Sequence, residues 1–155
     1  TKMVGNSVSK TTNFLVQNCV FEFSELSALF LRGQNQQIVN CLFTHVSYNG
    51  LGSEVVSCQK DNFGKFIYNT VEYSAVSDAV KHGAQDLYMN YVHHFGFLQY
   101  DGSGMQVNQN YSDGAVRSYN WFSHAKKYGV RWDGNPGGFD GVNDHNVWFK
   151  MLGAF

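Results

Sequence analysis

One signature recurs six times along the chain, and it limits the fold more than any other feature. An Asn is followed one to three places later by apolar residues, in "VQNCVFEF" at Asn18, "IVNCLFTH" at Asn40, "IYNTVEYS" at Asn69, "YMNYVHHF" at Asn90, "SYNWFSHA" at Asn120 and "DHNVWFKM" at Asn146. Two places after each Asn stand Val20, Leu42, Val71, Val92, Phe122 and Trp148, a column expected to point inward. A second element follows and usually ends in Gly: "ALFLRG" at 28–33, "DAVKHG" at 78–83, "FLQYDG" at 97–102 and "GVRWDG" at 129–134, with "NGLGSE" at 49–54 as the irregular copy. Four places before that Gly lie Leu29, Ala79, Leu98 and Val130, a second apolar column. Self-similarity of this length is the mark of a solenoid, in which each repeat buries its apolar side only by stacking on its neighbours.

The intervals between successive Asn residues are 22, 29, 21, 30 and 26, so a constant half-turn alternates with a variable remainder. Insertions are expected after the second strand, in 55–64, 103–116 and 135–142. The stretch "NWFSHAKKYGVRWDG", which read alone passes for a helix through Trp121, Ala125, Tyr128 and Trp132, is then one repeat unit. Asn suits the bend because it tolerates left-handed backbone angles, and stacked Asn side chains can bond to each other up the column. Leucine-rich repeats also use a periodic Asn, but their dense Leu pattern is missing.

Composition agrees. Sixteen glycines against one proline favour short strands joined by tight turns, and the class is expected to be all-β. Charged residues are 15% of the 155 and the formal net charge is −1, which disfavours disorder and a general attraction to nucleic acid. No apolar run approaches the length of a membrane span. Cys19, Cys41 and Cys58 are an odd number without a CxxC pair, so no zinc site is predicted. Cys19 and Cys41 each follow an Asn by one place and are expected on adjacent coils. The triplet Asn110-Tyr111-Ser112 is a glycan acceptor if the source is a eukaryotic secretory protein. The start lacks an initiator Met and the apolar core of a signal peptide, and both ends fall on repeat-like sequence. Residues 1–155 are therefore expected to be a single β-helix segment, a slice of a longer solenoid.

The Asn column and the "YNWFSHAKKYGVRWDG" coil resemble the right-handed parallel β-helix proteins, the pectate-lyase-like superfamily, over nearly the whole chain. That resemblance implies a right-handed β-solenoid of about five to six coils, secreted or on the cell surface. It also implies membership of a group rich in enzymes that bind or cleave acidic polysaccharides, alongside adhesins, tailspikes and structural fibres. Calcium is used by many such proteins, but no acidic cluster such as DxDxD occurs, so no metal site is predicted and calcium rests on the resemblance alone.

Stacking turns sequence columns into surface ladders. Four places after the Asn come Glu22, Thr44, Tyr73, His94, His124 and Lys150, and polar character grows toward the coils of Asn90 and Asn120. Cleavage of a uronate by β-elimination needs a base beside the carboxylate and a cation for the developing charge. His94, His124, Lys127 and Arg131 supply those types. Hydrolysis instead needs two carboxyl groups, for which Asp101 and Asp133 are the natural pair. Gln99, Tyr100 and Trp132 complete a substrate-binding set with Lys127. Each has a plainer explanation: outward positions of any solenoid are polar, and Asp-Gly is a common turn dipeptide. Two functions follow, a carbohydrate-active solenoid that binds, and as a lyase or hydrolase cleaves, an acidic polysaccharide, and a non-catalytic structural or adhesive segment that associates with its own copies.

Overall fold

The computed structural model describes residues 6–49, 54–58, 64–76, 78–81, 86–99, 101–108, 114–133 and 141–153. Among them there is no helix. The strands, in chain order, are β1 (Ser7–Thr12), β2 (Leu15–Gln17), β3 (Val20–Ser24), β4 (Leu29–Gln34), β5 (Gln37–Val39), β6 (Leu42–Val46), β7 (Val56–Cys58), β8 (Lys65–Ile67) and β9 (Thr70–Val76). They continue as β10 (Val80–Lys81), β11 (Asp86–Tyr88), β12 (Tyr91–Gln99), β13 (Ser103–Asn108), β14 (Val116–Ser118), β15 (Trp121–Asp133), β16 (Val142–Asp144) and β17 (Val147–Gly153).

Every pairing is parallel and joins strands one coil apart, which makes a parallel β-solenoid of about five turns. One face is the six-stranded sheet β16-β14-β11-β8-β5-β2. The other two faces are linked through β15: Trp121–Ala125 pair with β12 and β17, while Tyr128–Asp133 pair with β13. We call the face of β3, β6, β9, β12, β17 and the start of β15 the first face. The face of β1, β4, β7, β10, β13 and the end of β15 is the second.

The core is built from in-register columns. Phe21, Phe43, Val71, Val92, Phe122 and Trp148 follow one another up the first face. Leu29, Val56, Val80, Met105 and Val130 do so on the second. Val16, Ile38, Phe66, Leu87 and Arg117 form the third. The Phe21 and Phe43 rings stack at 4.9 Å, and Phe43 meets Phe66 at 6.0 Å across the interior. A fully buried Phe contributes about 2–3 kcal/mol over an exposed one, so the aromatic rungs supply much of the drive to stack. Arg117 enters the third column fully buried. Burial pulls its pKa down to about 10, against the opposing pull of the Asp86 carboxylate, and it remains a cation at neutral pH.

These columns correct the sequence reading in its first two coils. Val20 is 61% exposed and Leu42 only half-buried; Val20 pairs with Leu42, and Leu42 pairs with Thr70, not with Val71. The bend has two adjacent positions that favour Asn for different reasons. The first has left-handed backbone and is filled by Asn18, Asn40, Tyr68, Met89, Tyr119 and His145, with φ between 49° and 59°. The second turns its side chain inward and is filled by Cys19, Cys41, Asn69, Asn90, Asn120 and Asn146. The inner Asn amides form a continuous ladder. Each Oδ1 accepts the backbone N–H of the preceding rung, from Cys41 to Asn69 at 2.8 Å, Asn69 to Asn90 at 2.9 Å, Asn90 to Asn120 at 3.0 Å and Asn120 to Asn146 at 2.8 Å. Each Nδ2 donates to a carbonyl of the third face, at Ile38, Phe66, Leu87 and Arg117. Asn18 and Asn40 bond only side chain to side chain outside, at 2.8 Å. Aligning on Asn alone merged the two positions and slipped the first two coils by one residue.

The second column needs a similar correction. Leu98 is 61% exposed, because β12 runs on to Gln99 and the second-face strand of that coil starts only at Ser103, putting Met105 in the core. Ala79 is buried one place before the true column residue, Val80. Cys19 and Cys41 do occupy neighbouring rungs, and no disulfide joins any of the three cysteines. Burial pushes the Cys41 thiol up.

Candidate functional site

The corner that closes the first face has a second left-handed position, filled by Phe23, His45, Tyr73, His94, His124 and Lys150, with φ between 51° and 56°. A side chain there leaves the pleat and stacks directly on its equivalent one coil away. The rings form a ladder: Phe23 to His45 at 5.2 Å, His45 to Tyr73 at 5.2 Å, Tyr73 to His94 at 5.0 Å and His94 to His124 at 4.4 Å, the last pair within 5° of parallel. The expected stacking of His94 on His124 is present. In the first two coils the column holds Phe23 and His45 where the sequence reading placed Glu22 and Thr44, a consequence of the same one-residue slip. Because each ring covers its neighbour's face, the ladder offers solvent its edges, and so hydrogen-bonding nitrogens and hydroxyls more than flat platforms.

His94 belongs to a relay that sequence reasoning did not assemble. His93 Nε2 lies 3.2 Å from Glu72 Oε2, and His93 Nδ1 lies 2.8 Å from His94 Nδ1. Burial holds the His93 pKa below the usual imidazole value despite the Glu72 carboxylate, with His94 and His124 adding to the fall. Neutral His93 therefore gives its one proton to Glu72, which only accepts, and turns a lone pair toward His94. His94 must donate from Nδ1, which leaves its Nε2 as the acceptor in the neutral ring. A base whose tautomer is set by a second group, itself anchored by a carboxylate, is the arrangement proton abstraction requires. At His124 burial is the first cause of a lowered pKa, followed by His94 and Lys150, but its buried Nδ1 has no hydrogen-bond partner and its tautomer is not fixed in this way. The register pairs His93 with Glu72, a signal available only once coils are aligned.

The second group lies around the next corner. Asp101, 78% exposed, accepts from Arg131 NH1 at 3.1 Å and Lys127 Nζ at 3.3 Å, and these two cations hold its carboxyl below the ordinary range. Gln99 Nε2 donates to the Asp101 backbone carbonyl at 2.9 Å and so fixes the turn. Four expected site residues, Gln99, Asp101, Lys127 and Arg131, are thus brought together. They do not stack as columns: Gln99 pairs with Val76, and Arg131 pairs with Gln106, which in turn pairs with Lys81. His124 and Arg131 stand on different faces, seven residues apart along β15. Asp133 pairs with Asn108 and Trp132 with Val107 through the backbone, while their side chains, like the whole of Tyr100, lie outside the described residues.

Beside this group, and missed by the sequence reading, is a buried ionic triad. Lys81 Nζ lies 3.3 Å from Glu54 Oε1 and 3.3 Å from Asp78 Oδ2, and Asp78 Oδ1 accepts the Ser103 backbone N–H at 2.9 Å. Burial pushes the Asp78 carboxyl up against the pull of Lys81. Burial would lower Lys81, but Asp78 and Glu54 outweigh it and hold the ammonium above its usual value. Lys81, Gln106 and Arg131 follow one another on the second face, so the triad supports the strand that carries the cations. Among the described residues no group of three or more potential ligands has metal-binding geometry, and no helix is long and apolar enough to cross a membrane.

No protein-family model matches the sequence, and no curated protein or solved structure is significantly similar to it.

Proposed function

We propose that this solenoid binds an acidic polysaccharide, capturing a uronate carboxylate between Lys127 and Arg131. The observation that carries the reading is the position of Asp101: an exposed carboxylate already sits where two cations from one strand converge. A substrate carboxylate displacing it would take one donor from each cation, and Arg131 adds the planar fork suited to two parallel bonds. The ring ladder runs along the axis with hydrogen-bonding edges at His45, Tyr73, His94 and His124, which gives an extended chain of hydroxyl-bearing sugars repeated partners. The pectate-lyase-like resemblance of the repeat points to the same substrate class and to a secreted protein.

The catalytic form of the proposal is β-elimination. His94 Nε2 would take the proton on the carbon beside the carboxylate, the electron pair would form the ring double bond, and the glycosidic oxygen would leave. In hydrolysis Asp101, held ionised, would serve as the base or nucleophile of the carboxyl pair and not as its acid. His94 and the cations stand on different faces, so a bound chain would span both, and binding is the more direct reading. The mutual neutralisation of Asp101 by Lys127 and Arg131 equally suits a structural segment, and one experiment separates the two. Polygalacturonate should bind with an affinity that falls with salt, and Arg131→Ala should abolish binding with little change in melting temperature, since an exposed pair contributes at most about 1 kcal/mol. Undiminished binding by Arg131→Ala, or no binding by the parent protein, favours the structural reading.

A further inference from the structure

At the far end of the ring ladder, away from the Asp101 cluster, the first two coils enclose a pocket of about 260 Å³ lined by Phe23, Ser24, Glu25, His45 and Tyr48. Its walls are fixed by the backbone: Tyr48 N–H donates to the Ser24 carbonyl at 3.4 Å and Asn49 N–H to the Glu25 carbonyl at 3.1 Å. The rings are oriented too. His45 stacks on Phe23 at 5.2 Å and faces Tyr48 at 6.2 Å within 15°, while Thr44 Oγ1 holds His45 Nδ1 at 2.9 Å. Phe23, on the end strand β3 of its sheet, is 75% exposed.

The polar groups of this pocket are unevenly matched. The Ser24 hydroxyl is used in its own turn, donating to the Leu26 carbonyl and accepting the Leu26 N–H. Burial raises the Tyr48 phenol, which stays neutral. Among the described residues of the lining the one acidic group is the exposed Glu25 carboxylate, and none is Lys or Arg. Phe23 ends the ladder and is stacked by His45 on one face; an aromatic face carries negative potential, so this ring and the carboxylate together favour one ligand class. The volume lies just below that of pockets that enclose a drug-sized molecule, which suits an end group more than a whole oligosaccharide.

We propose that this pocket binds an organic ammonium group, seated against the Phe23, His45 and Tyr48 rings and neutralised by Glu25. The site is independent of the polyuronate reading, because it uses none of the cations on which that reading rests.

The test uses choline and its neutral carbon isostere, 3,3-dimethylbutan-1-ol, each titrated into the full chain at pH 8, above the ordinary imidazole pKa of about 6.5. Ring resonances of His45 and Tyr48 report binding. Choline should give saturable shifts, and the isostere should bind at least about tenfold more weakly, within the range of a partly desolvated cation–ring contact. Glu25→Gln should weaken choline about fivefold, as expected for an exposed charge contact, and Phe23→Ala should remove the saturable shift. Both side chains are exposed, and circular dichroism verifies that the variants remain folded. Equal binding of the isostere, choline affinity unchanged in Glu25→Gln, or no saturable shift with choline would each overturn the proposal. So would a neutral sugar that shifts the same resonances at lower concentration than choline.

Discussion

Replacing Lys81 by Met leaves two buried carboxylates facing each other, and the cost can be worked from the geometry. Lys81 lies 3.3 Å from both Glu54 and Asp78, which are 2% and 10% exposed in their side chains. At an effective dielectric near 20, one such contact corresponds to about 5 kcal/mol of Coulomb energy before desolvation is subtracted. Removing one partner of a buried pair typically costs about 3–5 kcal/mol, and the Met chain of two methylenes, a sulfur and a methyl that overlays the Lys stem recovers little of it. The expected loss at pH 7 is therefore about 3–5 kcal/mol, read as a lower urea midpoint. The pH dependence supplies a sharper signature. Without Lys81, the folded-state pKa of Asp78, which burial already raises, rises further above its unfolded value, so the folded state of the variant binds more protons than its unfolded state. Its stability then increases as pH falls through that raised value, and the deficit against the parent narrows toward acid pH. In the parent, the titration of Lys81 itself removes its contribution only at alkaline pH, as pH rises from the ordinary lysine pKa through its raised folded value. A deficit of equal size at pH 7 and pH 4.5, or none at pH 7, would refute the assignment of Lys81 as the counter-ion of both carboxylates.

The phase of the first coils predicts that Phe21→Asp unfolds the N-terminal coils while Val20→Asp, one residue away, changes stability by less than about 0.5 kcal/mol, both checked by urea titration. Gly129→Ala should cost about 1–3 kcal/mol through overpacking and move the Trp148 fluorescence, because a Cβ at Gly129 would overlap the Trp148 ring and meet Phe122 Cγ at 3.0 Å. Val92→Asp, which puts a carboxylate into a fully buried site on the same column, should destabilise by several kcal/mol and abolish the cooperative transition at neutral pH.

The repeat and the all-β class are legible because stacking demands something at every coil, and a demand made six times survives noise. The inward column is right from Val71 onward, where Asn occupies the interior rung. It fails at Val20 and Leu42, where Cys has taken that rung and Asn has moved to the left-handed position before it. A chain reader sees one Asn per coil in both cases. The cue that distinguishes them is the Phe three places after Asn18 and Asn40, since Phe21 and Phe43 are larger than the exposed Val20 and Leu42. His94 on His124 was legible as a column, but the Glu72–His93–His94 relay depends on tautomers set by neighbours. The Asp101 group was found residue by residue and misread in arrangement, because β12 runs past the corner to Gln99 and shifts the following strand to Ser103. Glu54, Asp78 and Lys81 lay hidden because their spacing matches no repeat; only the parallel register of β7 and β10 brings them together.

The inner Asn ladder is the feature on which the register, the core columns and both site descriptions depend, and side-chain amide exchange measures it directly. Resolved NMR signals of the Asn69, Asn90 and Asn120 amide groups should exchange with solvent orders of magnitude more slowly than those of Asn18 and Asn40. The first three each donate inside the solenoid, at 3.0, 2.8 and 2.9 Å to backbone carbonyls, while Asn18 and Asn40 bond on an exposed corner. Equal protection of all five would place Asn18 and Asn40 on the same interior rungs, restore Val20 and Leu42 to the core and contradict the register described above.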